Sequence, residues 1–175
     1  MTHTDPMKQA VACALFITMI TLLSAGCGFQ PLHGVHGERA DLLQKVWIRE
    51  LSGERGQDLR NKLIDRFYNE GYPETARYNL TIDIDSFSRN LDIKKDDTAT
   101  RAQLILRANY RLIDRMDNDR VIHSATVRSV NSYNILDSQF TTQVTREDAE
   151  KRSIVGLADQ IERRLILFLS QRYGT

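Results

Sequence analysis

Few side chains in this sequence could do chemistry, and their spacing limits what that chemistry could be. The chain has two cysteines, Cys13 and Cys27, and four histidines, of which only His123 falls in a segment patterned like a folded domain. His33 and His36 stand three apart, but their Gly-rich surroundings supply no rigid helix and no Cys, Asp or Glu partner at ligand spacing, so no metal is expected there. His123 is expected to be a packed or solvated strand residue. Asp114, Asp117, Asn118 and Asp119 bring oxygens together but lack the spacing and terminal Glu of a calcium loop, so a plain hairpin turn is expected. There is no Gly-x-Ser-x-Gly turn, no phosphate-cradling Gly loop and no Cys/His pair outside residues 27–39. With so few acid–base candidates, neither an enzyme nor a cofactor is expected.

Cations are the remaining candidates. Arg101, Arg107 and Arg111 alternate along one expected strand, with Arg89, Lys94 and Lys95 near its start. Guanidinium groups grip phosphate bidentately and suit an anionic glycolipid. The competing use is cross-strand pairing, with Asp83 and Asp85 neutralising Arg107 or Arg111. A formal net charge of +1 gives no overall bias toward nucleic acid.

The lone cysteine of the downstream chain, Cys27, follows a distinctive leader. Lys8 precedes an apolar run from Ala10 to Leu23, about 14 residues, shorter than the roughly 20 that span a bilayer as a helix. Such length and flanks fit a signal peptide over residues 1–26, ending in the small residues Ser24-Ala25-Gly26. Met7 gives a tidier positive start than Met1. Ser24-Ala25-Gly26-Cys27 resembles the bacterial lipobox, with Leu23 one place further from the cysteine than usual. Cys13 lies in the segment to be removed, so Cys27 would have no disulfide partner. Lipidation consumes that thiol, and a covalent N-acyl and S-diacylglycerol lipid makes release from a membrane negligible. Residues 27–40, rich in Gly, read as a tether.

The rest, residues 41–175, must position the cations. Apolar residues are 41% of the chain and charged residues 27%, which fits one folded domain. Lys45–Ile48 reads as a short strand, broken from Ser52 to Gly56. A helix is expected from Gln57 to Glu70, with Leu59, Leu63 and Phe67 in one stripe and a stop at Gly71 and Pro73. Tyr78–Asp85 alternates as a half-buried strand; the parity then shifts to Phe87, Leu91 and Ile93, which implies a bulge or a departure from the sheet. A polar tip at Lys94–Asp97 leads to a long strand over Arg101–Ile113. The next strand runs to Tyr133, with Val121, Ala125 and Val127 on one side. A last helix is expected over Thr145–Arg172, with Ile154, Ala158, Ile161 and Leu165 facing inward. The fold class is therefore α+β: two helices packed on one face of a four-stranded, largely antiparallel mixed sheet.

Cys27-Gly28-Phe29-Gln30-Pro31-Leu32, directly after the lipobox, resembles the mature start of the LptE family of lipopolysaccharide-assembly lipoproteins, and Gln30–Gly34 resembles its alphaproteobacterial members. The similarity extends through the element order and Asp97-Thr98-Ala99-Thr100, which leads into the long strand. The resemblance implies a non-catalytic, lipid-anchored, periplasm-facing outer-membrane protein. It implies an LptD-like β-barrel and lipopolysaccharide as partners, with the chain plugging the barrel, helping it assemble and assisting lipid delivery to the outer leaflet. It also implies lipopolysaccharide binding by basic loop residues, here Lys94 and Lys95 flanked by Arg89 and Arg101. From Ser132 to Val144 there is no Lys or Arg to supply a second basic contact; Tyr133, Ile135, Leu136 and Phe140 are candidate apolar anchors. The rival expectation is a periplasm-facing lipoprotein that binds a small ligand or envelope protein without a barrel.

Overall fold

The computed structural model describes residues 41–68, 71–93 and 99–173. The expected leader, Cys27, the tether and the Lys94–Lys95 pair lie outside the described residues. In chain order come β1 (Val46–Ile48), α1 (Gly53–Phe67), β2 (Tyr78–Ile93), β3 (Ala99–Asp114), β4 (Arg120–Asn134) and α2 (Gln139–Tyr173). Residues 41–44 add a helical turn ahead of β1. The strands lie in the order β1-β2-β3-β4. β1 runs parallel to β2, a pairing that needs the α1 crossover, and the other two pairings are antiparallel. Both long helices pack on one face, as the alternating apolar residues require.

Leu59, Leu63 and Phe67 of α1 are completely buried, as are Ala158, Ile161 and Leu165 of α2. They meet Leu104, Leu106, Tyr110 and Leu112 of β3, the central strand most fully covered. Burying each of the leucine, isoleucine and phenylalanine side chains is worth about 1.5–3 kcal/mol. α1 starts four residues earlier than its periodicity suggests. Gly56 does not break it. A Cβ there would lie 2.9 Å from the Cβ of Leu51, so glycine allows the first turn to close over that side chain. α1 also ends earlier, at Phe67, because Tyr68 leaves the helix to use its ring elsewhere. Its hydroxyl donates to the carbonyl of Val46 (2.8 Å) and accepts from the amide of Ile48 (3.2 Å). Burial pushes that phenol up from its ordinary pKa.

β2 is longer than its early alternation indicates, and the expected parity break at Phe87 does not occur. The register to β3 is continuous from Tyr78 to Asn90, and the irregularity comes only between Asn90 and Ile93. Phe87 keeps the odd parity of Asp83 and Asp85 and points away from the helices, 42% exposed. Val121 is likewise misplaced by simple alternation. A register shift beside Leu112 and Ile113 leaves Val121 exposed, while Ala125 and Val127 face the helices. The β3–β4 turn matches its composition. Asn118 and Asp119 have φ of 49° and 53°, and the Arg120 amide closes the turn on the Asp117 carbonyl at 2.9 Å.

α2 starts six residues before Thr145. Its opening Thr141, Thr142 and Val144 are poor helix formers. Two threonine side chains bind the incoming chain: the Leu136 amide donates to Thr142 Oγ1 (2.8 Å), and Thr145 Oγ1 lies 2.8 Å from the Asn134 carbonyl. The helix then follows the outer edge of β4, where the even-numbered carbonyls point away from β3. Arg164 reaches the Thr126 carbonyl (3.3 Å), Gln160 that of Arg128 (3.0 Å) and Arg152 that of Ser132 (3.4 Å). Gly156 lies in the middle of this run; a Cβ there would stand 2.9 Å from Ser129 Oγ. Among the described residues no helix is long and apolar enough to cross a membrane.

Candidate functional site

On the face of the sheet away from the helices, side chains of β2, β3 and β4 stand in opposed rows, three of them adjacent at its middle. Asp85, Arg107 and Arg128 form one, Phe87, Ile105 and Val130 the next, and Arg89, Gln103 and Ser132 the third. The middle row is an apolar stripe across three strands with polar rows on either side; a second apolar group, Trp47, Ile113 and Val121, lies at the far end of the same face. The guanidinium of Arg107 lies over the Phe87 ring, 5.3 Å from its centroid. The expected ion pairs of Asp83 and Asp85 with Arg107 and Arg111 are not formed. Among the described residues none of these four, nor Arg128, has an opposite charge within ion-pair distance. Register explains part of this. Asp83 stands opposite Asn109, and Arg111 opposite Thr81. Asp85 does stand opposite Arg107, but the Arg107 head group sits on Phe87 instead.

The second candidate region is the end of the sheet where β2 finishes, β3 starts and β4 passes into α2. Arg89 donates to Gln103 Oε1 at 3.0 Å, and Arg101 stands opposite Asp92 and Asn134. These two expected site residues therefore flank the segment 94–98 from either strand, whereas Lys94 and Lys95 lie outside the described residues. Arg101 also lines a shallow depression of about 450 Å³ with Tyr133, Val144 and Arg152. Arg152, ion-paired with Asp148, brings to this end a cation that the chain between Ser132 and Val144 lacks. No sequence spacing pointed to it, because it lies more than two helical turns beyond Val144. Beside the depression, Leu136, Phe140 and Val144 are 43%, 79% and 48% exposed. Phe140 and Val144 are one turn apart on α2, an apolar patch that the earlier helix start creates. Of the other expected anchors, Tyr133 packs against the core, and the amide of Ile135 extends the sheet by bonding the Thr100 carbonyl.

Three further titratable groups, His123, Asp114 and Asp117, are held by contacts within the fold. His123 stacks on Phe168, with ring centroids 4.5 Å apart, and its Nε2 lies 3.2 Å from the Tyr110 hydroxyl. Burial, and then the Arg164 charge, hold it below the usual histidine range. At the opposite end of the sheet, buried Asp114 accepts from Arg77 (3.0 Å) and from the Met116 amide (3.0 Å), and the Arg77 hydrogen bond lowers its pKa. Asp117 pairs with Arg120 across the turn. Among the described residues no group of His, Cys, Asp and Glu is arranged to hold a metal.

This architecture recurs in solved structures. A lipoprotein from Caulobacter crescentus superposes with a TM-score of 0.63 at 20% identity, over 79% of this chain and 99% of that one. Rare lipoprotein B from Shewanella oneidensis gives 0.53 at 13% identity, over 69% and 90%. Lipoprotein B from Nitrosomonas europaea gives 0.55 at 20% identity, over 71% and 83%. At such identities the likeness establishes a shared fold. No curated protein sequence matches significantly. The family model LptE, described as lipopolysaccharide-assembly, matches residues 43–165, from the helical turn before β1 to the last third of α2. That span takes in the whole sheet, α1 and most of α2, and the chain belongs to the LptE family of lipopolysaccharide-assembly proteins.

Proposed function

We propose that the chain is an outer-membrane lipoprotein, anchored through Cys27 and facing the periplasm, that seats inside an LptD-type β-barrel. There it helps the barrel assemble and assists insertion of lipopolysaccharide into the outer leaflet. The observation that carries this reading is the open face of the sheet. Asp83, Asp85, Arg107, Arg111 and Arg128 form no ion pairs among the described residues, and the apolar side chains of this face are confined to the Phe87 row and a second row at the far end with Trp47 and Val121. A barrel interior is polar, so a plug should offer unpaired charges and few apolar anchors. The loop end supports the lipid part of the reading. Arg101, beside Phe140 and Val144, sets a cation next to exposed apolar surface, as an anionic amphiphile requires. We assign the lipid contact also to Arg89 and to Lys94 and Lys95, which follow β2 in sequence. No catalytic step is involved.

Detergent extraction of native membranes, followed by affinity purification of the chain, tests the reading. A stoichiometric β-barrel partner is expected. Arg107→Glu with Arg128→Glu should lower its recovery, while Lys94→Glu with Lys95→Glu should weaken lipopolysaccharide binding and leave the barrel attached. No barrel from native or overexpressing cells would overturn the plug and favour a lipoprotein that works without one. Unchanged lipopolysaccharide binding in the lysine variant would overturn the assignment of the basic end.

A further inference from the structure

Among the described residues, side chains bond outward backbone groups of β1, through the Tyr68 hydroxyl, and four outward carbonyls of β4, but none along most of β2. The Tyr78 amide donates to the Lys45 carbonyl and the Leu80 carbonyl accepts from the Arg49 amide, both at 3.0 Å. The even-numbered backbone groups of β2 therefore point away from β3. β1 ends at Ile48, and the chain turns through Leu51 and Ser52 into α1. From Ile82 to Asn90, about 30 Å of strand, no described residue bonds the outward amides and carbonyls. A notch of about 700 Å³ opens beside the first part of this edge, between β2 and the start of α1. Its floor includes Leu51, Ile82 and Ile84. Apart from the Arg55–Glu150 ion pair, Glu50, Glu54, Asp83 and Asp85 outweigh Arg49 and Arg111 in its lining.

We propose that this edge receives an extended segment of another polypeptide, with basic residues alternating with small apolar ones, as a fifth strand. An added strand satisfies the outward amides and carbonyls through its own backbone. Side chains alternate across it. On one face its residues neighbour Asp83 and Asp85, which favours Lys or Arg. On the other they neighbour Ile82 and Ile84 in the notch, which favours Val or Thr. A second copy of this chain is disfavoured, because antiparallel pairing of two such edges brings Asp83 and Asp85 of both copies together. The proposal requires a strand donor and does not depend on that donor being a barrel.

The test is hydrogen exchange by mass spectrometry on the full chain, with and without the capped peptide Thr-Lys-Val-Lys-Val-Lys-Thr. The expected result is saturable binding that slows exchange in 82–90 and leaves 124–134 unchanged. Ser86→Pro removes one outward donor and no bond to β3, so it should abolish the protection. Asp83→Lys with Asp85→Lys changes only exposed side chains and should weaken the peptide about tenfold. A peptide with Glu at the Lys positions should weaken by a similar factor. Four results would overturn the proposal: no protection of 82–90, equal protection of 124–134, equal binding by the charge-reversed pairings, or slow exchange of 82–90 in the free chain. The last would mean that the edge is already covered, by the chain's own residues or, if sedimentation shows a dimer that Ser86→Pro dissociates, by a second copy.

Discussion

Along β4, Thr145, Arg152, Gln160 and Arg164 place a side-chain donor on the outward carbonyls of Asn134, Ser132, Arg128 and Thr126 in turn. Along β2, from Ile82 to Asn90, the same kind of backbone faces a charged notch with no described donor reaching it. Both are long edges of one sheet, so sheet geometry does not explain the difference. What distinguishes them is the neighbouring element. α2 runs close against β4 and sends its polar side chains over the rim, whereas β1 stops at Ile48 and α1 withdraws. A long unprotected edge invites pairing with other chains, and side-chain capping is one way of refusing it. The protection of β4 therefore makes the exposure of β2 informative: the same fold contains the means to close an edge.

The largest expected effect comes from forcing α2 away from β4. The helix approaches at Gly156, where even a Cβ would stand 2.9 Å from Ser129 Oγ. Gly156→Leu should cost about 3 kcal/mol from overpacking, read as a lower denaturant midpoint, and should speed hydrogen exchange in 124–134. Gly156→Ala should be much milder. Helix propensity returns about 1 kcal/mol, and Ser129→Ala removes the clashing hydroxyl. A fully stable Gly156→Leu protein would mean that the α2–β4 approach is not tight, and the comparison of edges would lose its basis.

Much of this arrangement is legible in sequence, but the edges are not. The stripes of α1 and α2, the alternation of β3 and the Asp117–Asp119 turn each follow from local periodicity or turn chemistry, and each forms as expected. The misreadings share one cause, a contact that the period of a single helix or strand cannot show. Gly56 looks like a breaker until Leu51 is seen beneath it. Phe87 looks like a parity shift because alternation assumes that apolar means inward, whereas here it belongs to an outward row with Ile105 and Val130. The turn before Thr145 looks like loop because the bonds of Thr142 to Leu136 and of Thr145 to Asn134 lie outside the helical period. Of the candidate site, the positions of Arg89 and Arg101 at the strand ends were readable. The exposed Phe140–Val144 patch, the Arg152 cation and the open β2 edge required coordinates.

A smaller effect depends on pH. His123 lies under the β4 rim, between Phe168 and Tyr110, with Arg164 nearby. Burial, then Arg164, hold its folded-state pKa below the ordinary value of about 6.5. The unfolded chain therefore binds the proton first as pH falls. Stability is unaffected by this group above about pH 6.5 and declines below it, until the folded state also takes up the proton. His123→Gln should flatten the stability profile in that window, measured by denaturation at several pH values. An unchanged slope would place the titration elsewhere.

The smallest change should be the most selective. Gln160→Ala with Arg164→Ala removes two exposed caps, each worth about 1 kcal/mol or less, so the fold should hold. Arg164→Ala also withdraws a positive charge from His123 and should raise that pKa, so the measurement belongs above pH 7, where the histidine is neutral in both states. With the carbonyls of Thr126 and Arg128 uncovered, the Lys-Val peptide should begin to slow exchange in 124–134 as well as in 82–90. If β4 becomes receptive, side-chain capping is what closes an edge here. If it stays inert while 82–90 still binds, the caps are incidental, and the charge and shape of the notch beside β2 select the strand.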